Sequence, residues 1–379
     1  GTIAHAALQR ASTAIVAGVP APLAYRRSMF TWLDIARLAR PAGAALSWYA
    51  SCWDAAPVVE PMRLSALAAC LLLGDAIGSL MPIASMLLPS QACSSIALLL
   101  NSSTSASPAL RGTASVLEIV HQLVDLASPV RLLVLSAGTQ RADKSMSTTS
   151  ATASYGGAWG LCRVVRLEHI ELQTLSADAT FCPDVGLLSK PRSEELEVTF
   201  CRDGGSRVPR LRRSSHGNKM SAPVSGVYAV TGGLGGLGLR AAGLLLGRGA
   251  TRTVLASRSG RVMRSDQGLE SQLRLLGVGA DVIVCDSADP GCTSPFFCRS
   301  HVTGVLHAAG AGDKGLLTTV VPLRVAWMFA PKAAGAWSLH CVSAPVKLEA
   351  LVLFSSVGSG FGNVGQANYA AGNACLDTH

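Results

Sequence analysis

From residue 227 onward, apolar runs of four or five residues alternate with longer segments. Val227 to Val230 is one such run. A glycine-rich turn separates it from Leu237 to Leu246, which reads as a helix with apolar residues on most faces, as packing against a sheet requires. Thr253 to Ala256, Asp281 to Cys285, Thr303 to His307 and Ala350 to Phe354 read as further strands, with Leu269 to Leu276 as a helix among them. Strands alternating with helices at this spacing predict an α/β fold with a doubly wound parallel sheet.

The first half repeats the alternation less clearly. Arg131 to Leu135 and Leu196 to Phe200 are its strand candidates, and no glycine fingerprint follows either. A structural domain without a cofactor site is the reading. The polar stretch Arg212 to Ala222 has no apolar periodicity and reads as an exposed connector, while Asn101 to Pro108 and Ser145 to Ser154 read as surface loops. Leu64 to Leu88 is apolar, but Gly74, Asp75, Gly78 and Pro82 break it, so a buried strand and helix are expected and not a membrane span. Gly1 to Gly18 mixes His5, Gln9 and Arg10 into its apolar residues and does not read as a signal peptide.

Composition adds bounds. At 379 residues and 49% hydrophobic, the chain is long enough for two cores, and 38 glycines suit many strand-to-helix turns. Aromatic residues at 5% argue against a surface that stacks nucleic-acid bases. Much of the +9 net charge lies at Arg207, Arg210, Arg212, Arg213 and Lys219. These read as a solvated basic linker or as a dock for an anionic partner, either a phosphorylated cofactor or an acidic carrier domain. Eleven cysteines include no CxxC pair, so free thiols of a reducing, cytoplasmic compartment are expected and no metal site.

The chemistry gathers at strand ends. Thr231 to Gly238 reads TGGLGGLG, and Gly233, Gly235 and Gly238 fit G-x-G-x-x-G, with Leu234, Gly236 and Leu237 between them. Glycines let the backbone turn sharply and approach a pyrophosphate, whose charge the helix N-terminus meets. The next strand ends in Ser257 and Arg258, where an acidic residue would select NAD; Arg258 offers a fork for a 2′-phosphate, so NADP is expected. Cys285 and Asp286 end the third strand, placed to reach an adenine edge. Ala308, Ala309 and Gly310 follow His307 at the fourth, small enough to let a nicotinamide ribose lie close. After the last strand come Ser356, Tyr369 and Asn373, the last two one helical turn apart, and Lys332 is the remaining candidate cation. Taken singly, each has a plain structural explanation.

Together these motifs resemble the short-chain dehydrogenase/reductase superfamily, and specifically the ketoreductases of modular polyketide synthases and animal-type fatty-acid synthases. In those ketoreductases the lysine and asparagine of the wider superfamily exchange places, as Lys332 and Asn373 do here. The resemblance extends to the first half. ALSWYASCW, around Trp48 to Trp53, looks like the opening strand of the family's structural subdomain; Ala158 to Leu172 is similar to its WGLGR-type helix, and Glu194 to Arg213 to its closing hairpin.

The resemblance implies residues 1–44 as a linker or unassigned segment, 45–213 as a shortened Rossmann-like structural subdomain, 214–222 as a linker and 223–379 as the catalytic subdomain. It implies NADPH-dependent reduction of a β-ketoacyl thioester, with Tyr369 as proton donor, Lys332 supplying positive charge, Ser356 on the substrate carbonyl and Asn373 orienting Lys332 or a water. The implied partners are an acyl carrier protein with a phosphopantetheine-linked chain and other synthase domains, with neither nucleic acid nor a membrane span. Gly312, Asp313 and Lys314 stand where the family's Leu-Asp-Asp marker falls and Phe361 where the opposite marker tryptophan falls, so no product configuration is assigned. In the family a strand, a lid and a strand–helix pair follow the position of His379, so a fragment of a longer polypeptide or an incomplete reductase is expected. The rival readings are a catalytically incomplete NADPH-binding or scaffolding module and a free-standing reductase of small ketones.

Overall fold

The structure, a computed structural model, describes residues 48–55, 70–74, 95–100, 108–126, 130–140, 154–179, 195–201, 205–214, 224–263 and 267–378. The segment 1–44, Lys219, and most of the connector, of the two Ser/Thr-rich loops and of Leu64 to Leu88 lie outside them, while Arg212 to Ser214, expected as connector, are strand. The described residues fall almost wholly in one compact unit, Ser51–Arg212 with Gly217–His379; of the second unit, only parts of two strands are described.

Among the described residues, twelve strands form two sheets. The first holds β1 (Trp48–Ala55), β2 (Cys70–Gly74), β3 (Ser95–Leu100), β4 (Arg131–Ala137), β5 (Leu175–Ala179), β6 (Glu197–Phe200) and β7 (Ser206–Ser214), in the order β1-β7-β6-β5-β4-β3-β2. β2 through β6 run parallel and β6–β7 is an antiparallel hairpin, as the resemblance at Glu194 to Arg213 implied. The second sheet holds β8 (Val227–Thr231), β9 (Arg252–Ser257), β10 (Ala280–Val284), β11 (Val302–His307) and β12 (Ala350–Leu353). Its order is β10-β9-β8-β11-β12 and every pair is parallel. The order reverses between β8 and β11, where doubly wound sheets open a crevice at their carboxyl ends.

The helix after β8, Gly236–Gly247, is less enclosed than its composition suggests. Leu237 and Leu244 are half exposed because they lie on the outward face, while Leu239, Ala241 and Ala242 carry the packing. The third strand starts and ends one residue early, leaving Cys285 just past its end.

The Gly156–Glu168 helix, the WGLGR-type segment, packs directly on the Ala367–Thr378 helix that carries Tyr369. Glycine makes this possible. A Cβ on Gly160 would lie 2.5 Å from the Ala370 carbonyl oxygen, and one on Gly156 would lie 2.8 Å from that of Ala374. The two helices therefore approach closely where glycine stands, against main chain and the small side chains of Ala374 and Thr378. One buried cluster accordingly runs from Ile96, Val116 and Leu161 of the first half to Phe329, Ala367, Ala371 and Cys375 of the second.

Ion pairs reinforce this seam. Arg163 and Arg166 both pair with Glu197 on β6, and Arg163 also donates to the Ser359 carbonyl oxygen. Burial alone would raise the Glu197 carboxyl, yet the two guanidiniums hold it below the usual range. Within the basic stretch near residue 210, Arg210 pairs with Glu195 and Arg212 with Asp54. Among the described residues no cysteine is in a disulfide, no cluster could hold a metal, and no helix is long and apolar enough to cross a membrane.

Candidate active site

The turn after β8 is built for glycine. Gly232 has φ of +63°, and a Cβ there would meet the Ala308 carbonyl oxygen at 2.7 Å. A Cβ on Gly233 would lie 2.8 Å from the Leu255 Cα, and one on Gly238 2.4 Å from the Gly232 carbonyl oxygen. A Cβ on Gly236 would fit, in ordinary van der Waals contact with Leu269 Cδ2 at 3.7 Å. Leu234 is buried beneath the turn, and Leu237 points outward. Gly235 is the N-cap of the following helix, with no side-chain cap and no acidic residue in the first turn. Its opening N–H groups are left to meet an anion.

The neighbouring strand ends line the same edge. Ser257 Oγ accepts from the Gly260 N–H at 3.0 Å, shaping the turn that presents Arg258. Arg258 is exposed and makes no ion pair among the described residues, whereas Arg252 at the start of the strand pairs with Asp281. Cys285 is buried, and desolvation pushes its thiol up to about 11, so it presents a neutral group. Asp286 Oδ1 accepts from the Ala288 N–H, closing a local turn.

Thr231 opens the glycine turn and uses its hydroxyl inside the protein. Its side chain is buried and bonds His307 Nδ1 at 2.7 Å, while His307 Nε2 lies 3.0 Å from the Lys332 carbonyl oxygen. A carbonyl only accepts, so Nε2 carries a proton. His307 thus ties the glycine turn to the backbone of Lys332, a structural role. Ala308 N–H donates to the Thr231 carbonyl, Ala309 is buried, and Gly310 gives room to the lysine: a Cβ there would lie 2.7 Å from Lys332 Cε.

Lys332 sits in a π-helical turn, Ala330–Ala334, between the Pro322–Phe329 and Gly335–Ser343 helices. Pro331 has no N–H for the regular ladder, and the widened turn accommodates it. The lysine is 6% exposed; its amine donates to the Phe354 carbonyl oxygen at 2.9 Å and stands 6.0 Å from the Tyr369 ring centroid. Burial lowers its pKa to about 8, against the opposing pull of Asp377.

Tyr369 and Asn373 share the Ala367–Thr378 helix. Asn373 Nδ2 donates to the Tyr369 carbonyl oxygen at 2.8 Å, and its buried Oδ1 has no hydrogen-bond partner among the described residues. Ser356 caps the Val357–Phe361 helix, its Oγ accepting from the Gly358 N–H at 3.2 Å, which leaves the hydroxyl proton to donate elsewhere. Lys332 and Asn373 therefore both flank Tyr369. The residues fit a reduced dinucleotide: a glycine cradle, an uncapped helix N-terminus, an unpaired Arg258 and an unsatisfied Asn373 Oδ1 all lie at strand carboxyl ends or on the helices that follow them.

Sequence reasoning missed the frame around Tyr369. Asn368 Oδ1 accepts from the Tyr369 N–H, and its Nδ2 donates to Asp313, which also accepts from Arg324. Burial would raise the Asp313 carboxyl, but Arg324 and Asn368 hold it below the usual range. Glu168 was missed as well, since a carboxylate that accepts from backbone N–H groups leaves no signature in the segments it holds.

A family model described as KR domain matches residues 226–379. Polyketide synthase GfsB of Streptomyces halstedii is 32% identical over 288 residues, covering 70% of this chain and 5% of that protein. A 6-methylsalicylic acid synthase of Arthrobotrys oligospora is 32% identical over 285 residues, 69% of this chain and 16% of that protein. The chain thus spans a small fraction of these curated relatives. Among solved structures, an A1-type ketoreductase superposes with a TM-score of 0.73 at 26% identity, covering 87% of this chain and 78% of the other. An A-type ketoreductase from a modular polyketide synthase gives 0.70 at 25% identity, covering 87% and 79%.

Proposed function

The chain belongs to the ketoreductases of polyketide synthases, with residues 226–379 as its KR domain, and on that premise we propose that it uses NADPH to reduce a β-ketoacyl thioester to the β-hydroxyacyl thioester. The substrate chain rides on the phosphopantetheine arm of an acyl carrier protein, and other synthase domains are neighbours, a reading that the far greater length of the matched synthases supports. A cytoplasmic location is in keeping with the free thiols.

The observation that carries the proposal is the buried Lys332 amine beside the Tyr369 ring, with Asn373 one turn further along the same helix. A phenol is a weak acid at neutral pH, and a nearby ammonium eases loss of its proton. When bound, a reduced nicotinamide supplies the hydride. Ser356 donates a hydrogen bond to the carbonyl oxygen and keeps its proton, favouring the negative charge that develops there. Tyr369 delivers a proton to that oxygen, and Lys332 stabilises the phenolate left behind. Asn373 Oδ1 holds the lysine or a water that returns the proton. Arg258 engages the 2′-phosphate, and the Gly233–Gly238 turn carries the pyrophosphate.

The test is to incubate the chain with NADPH and a β-ketoacyl thioester. Stereospecific formation of the β-hydroxyacyl product, with one NADPH consumed per product, supports the proposal; NADPH binding without turnover assigns the chain to a binding module instead.

A further inference from the structure

Glu168 ends the Gly156–Glu168 helix in the first half of the chain, yet both of its carboxylate oxygens reach the second half. Oε2 accepts from the Leu317 N–H at 2.6 Å, and Oε1 accepts from the Gly365 N–H at 2.7 Å. The two segments it holds also pair with each other: the Gly315 N–H donates to the Gly365 carbonyl at 2.9 Å, and Gly315 and Gln366 form a parallel bridge. On one side, Leu317 is fully buried, and its carbonyl is 2.7 Å from His121 Nε2. On the other, Gly365 sits at φ +74° just ahead of the Tyr369 helix, and the Gln366 carbonyl accepts from the Ala370 N–H, closing that helix's first turn. Asp313 and Asn368 continue the same frame up to the Tyr369 N–H.

We propose that Glu168 is a positioning residue for the reduction, clamping the 313–320 and 362–366 segments so that the Tyr369 helix starts in a fixed place opposite Ser356 and Lys332. The inference rests on the ketoreductase reading. Two charge-assisted bonds to backbone N–H groups suit this task, because they fix main chain and not merely a side chain. Small displacements of a reacting group are costly to rate, so a loosened clamp lowers turnover before it lowers cofactor binding.

The test uses Glu168→Gln, which keeps the shape but gives one of the two N–H groups a donor in place of an acceptor. Expected is a fall in kcat of about tenfold to a hundredfold, with the NADPH Kd changed by no more than about twofold. Faster hydrogen exchange at the Leu317 and Gly365 amides accompanies it. Glu168→Asp, drawn back by one methylene, gives the same signature at smaller size and serves if the glutamine variant folds poorly. A wild-type kcat per folded molecule, or unchanged exchange at both amides, overturns the proposal. Tyr369→Phe run in parallel separates the two layers: if it too keeps full turnover, the ketoreductase reading has failed and the positioning claim falls with it.

Discussion

Gly160 approaches Ala370 so closely that a single added carbon would stand 2.5 Å from the alanine's carbonyl oxygen. The helix bearing Tyr369 is thus seated on the first half of the chain by backbone contact. Gly160→Ala is expected to destabilise the fold by about 1–3 kcal/mol, the usual cost of overpacking a filled core. Gly243→Ala is the contrasting substitution: it also lies within a helix, but its nearest neighbour, Leu276 Cδ2, is 3.6 Å away. It is expected to be neutral or to stabilise by about 0.5–1 kcal/mol. Chemical denaturation of both variants checks the pair, and equal effects would refute the packing argument.

Just past the end of β9, Arg258 has no ion-pair partner among the described residues, while Arg252 at the start of the strand has one. Arg258→Ala is expected to weaken NADPH binding roughly tenfold and to leave NADH nearly unchanged, because only the former carries a 2′-phosphate to lose a charge-assisted contact. Fluorescence titration with each cofactor measures this. Equal weakening of both would give Arg258 a role in the fold alone.

On the proposed mechanism, Lys332 makes turnover depend on pH. Burial lowers its pKa to about 8, so its ammonium is present below that value and lost as pH rises through it. Since the ammonium is what favours the Tyr369 phenolate, kcat/KM is expected to fall on the alkaline side with an apparent pKa near 8. Lys332→Met should lose activity by about a hundredfold and lose that limb. The same limb in the methionine variant would assign it to another group.

Much of this arrangement is legible in the sequence because its signals are local. Gly233 and Gly238 sit at the spacing a strand–turn–helix demands, and Tyr369 and Asn373 are four apart on one helix. The strands β8 to β12 are short apolar runs, and they form within one or two residues of where those runs fall. What stayed hidden depends on distance or on broken periodicity. Glu168 meets partners 149 and 197 positions away. The helical stretch around Lys332 is interrupted by Pro322, Pro331 and Gly335, so the π turn that aims the lysine has no periodic signature. Thr231 ends β8 and opens the fingerprint, yet its hydroxyl serves His307, a contact set by the pairing of β8 with β11.

The central claim, that Tyr369 is the proton donor of an NADPH-dependent reduction, rests on its ring lying 6.0 Å from the buried Lys332 amine. Its most direct test is single-turnover reduction of a β-ketoacyl thioester by the wild type and by Tyr369→Phe, with NADPH affinity measured on both. The phenylalanine ring keeps the packing and removes only the hydroxyl. The account predicts NADPH binding within about twofold of wild type and a reduction rate lower by at least about a hundredfold. A Tyr369→Phe enzyme that reduces the thioester at the wild-type rate would contradict it.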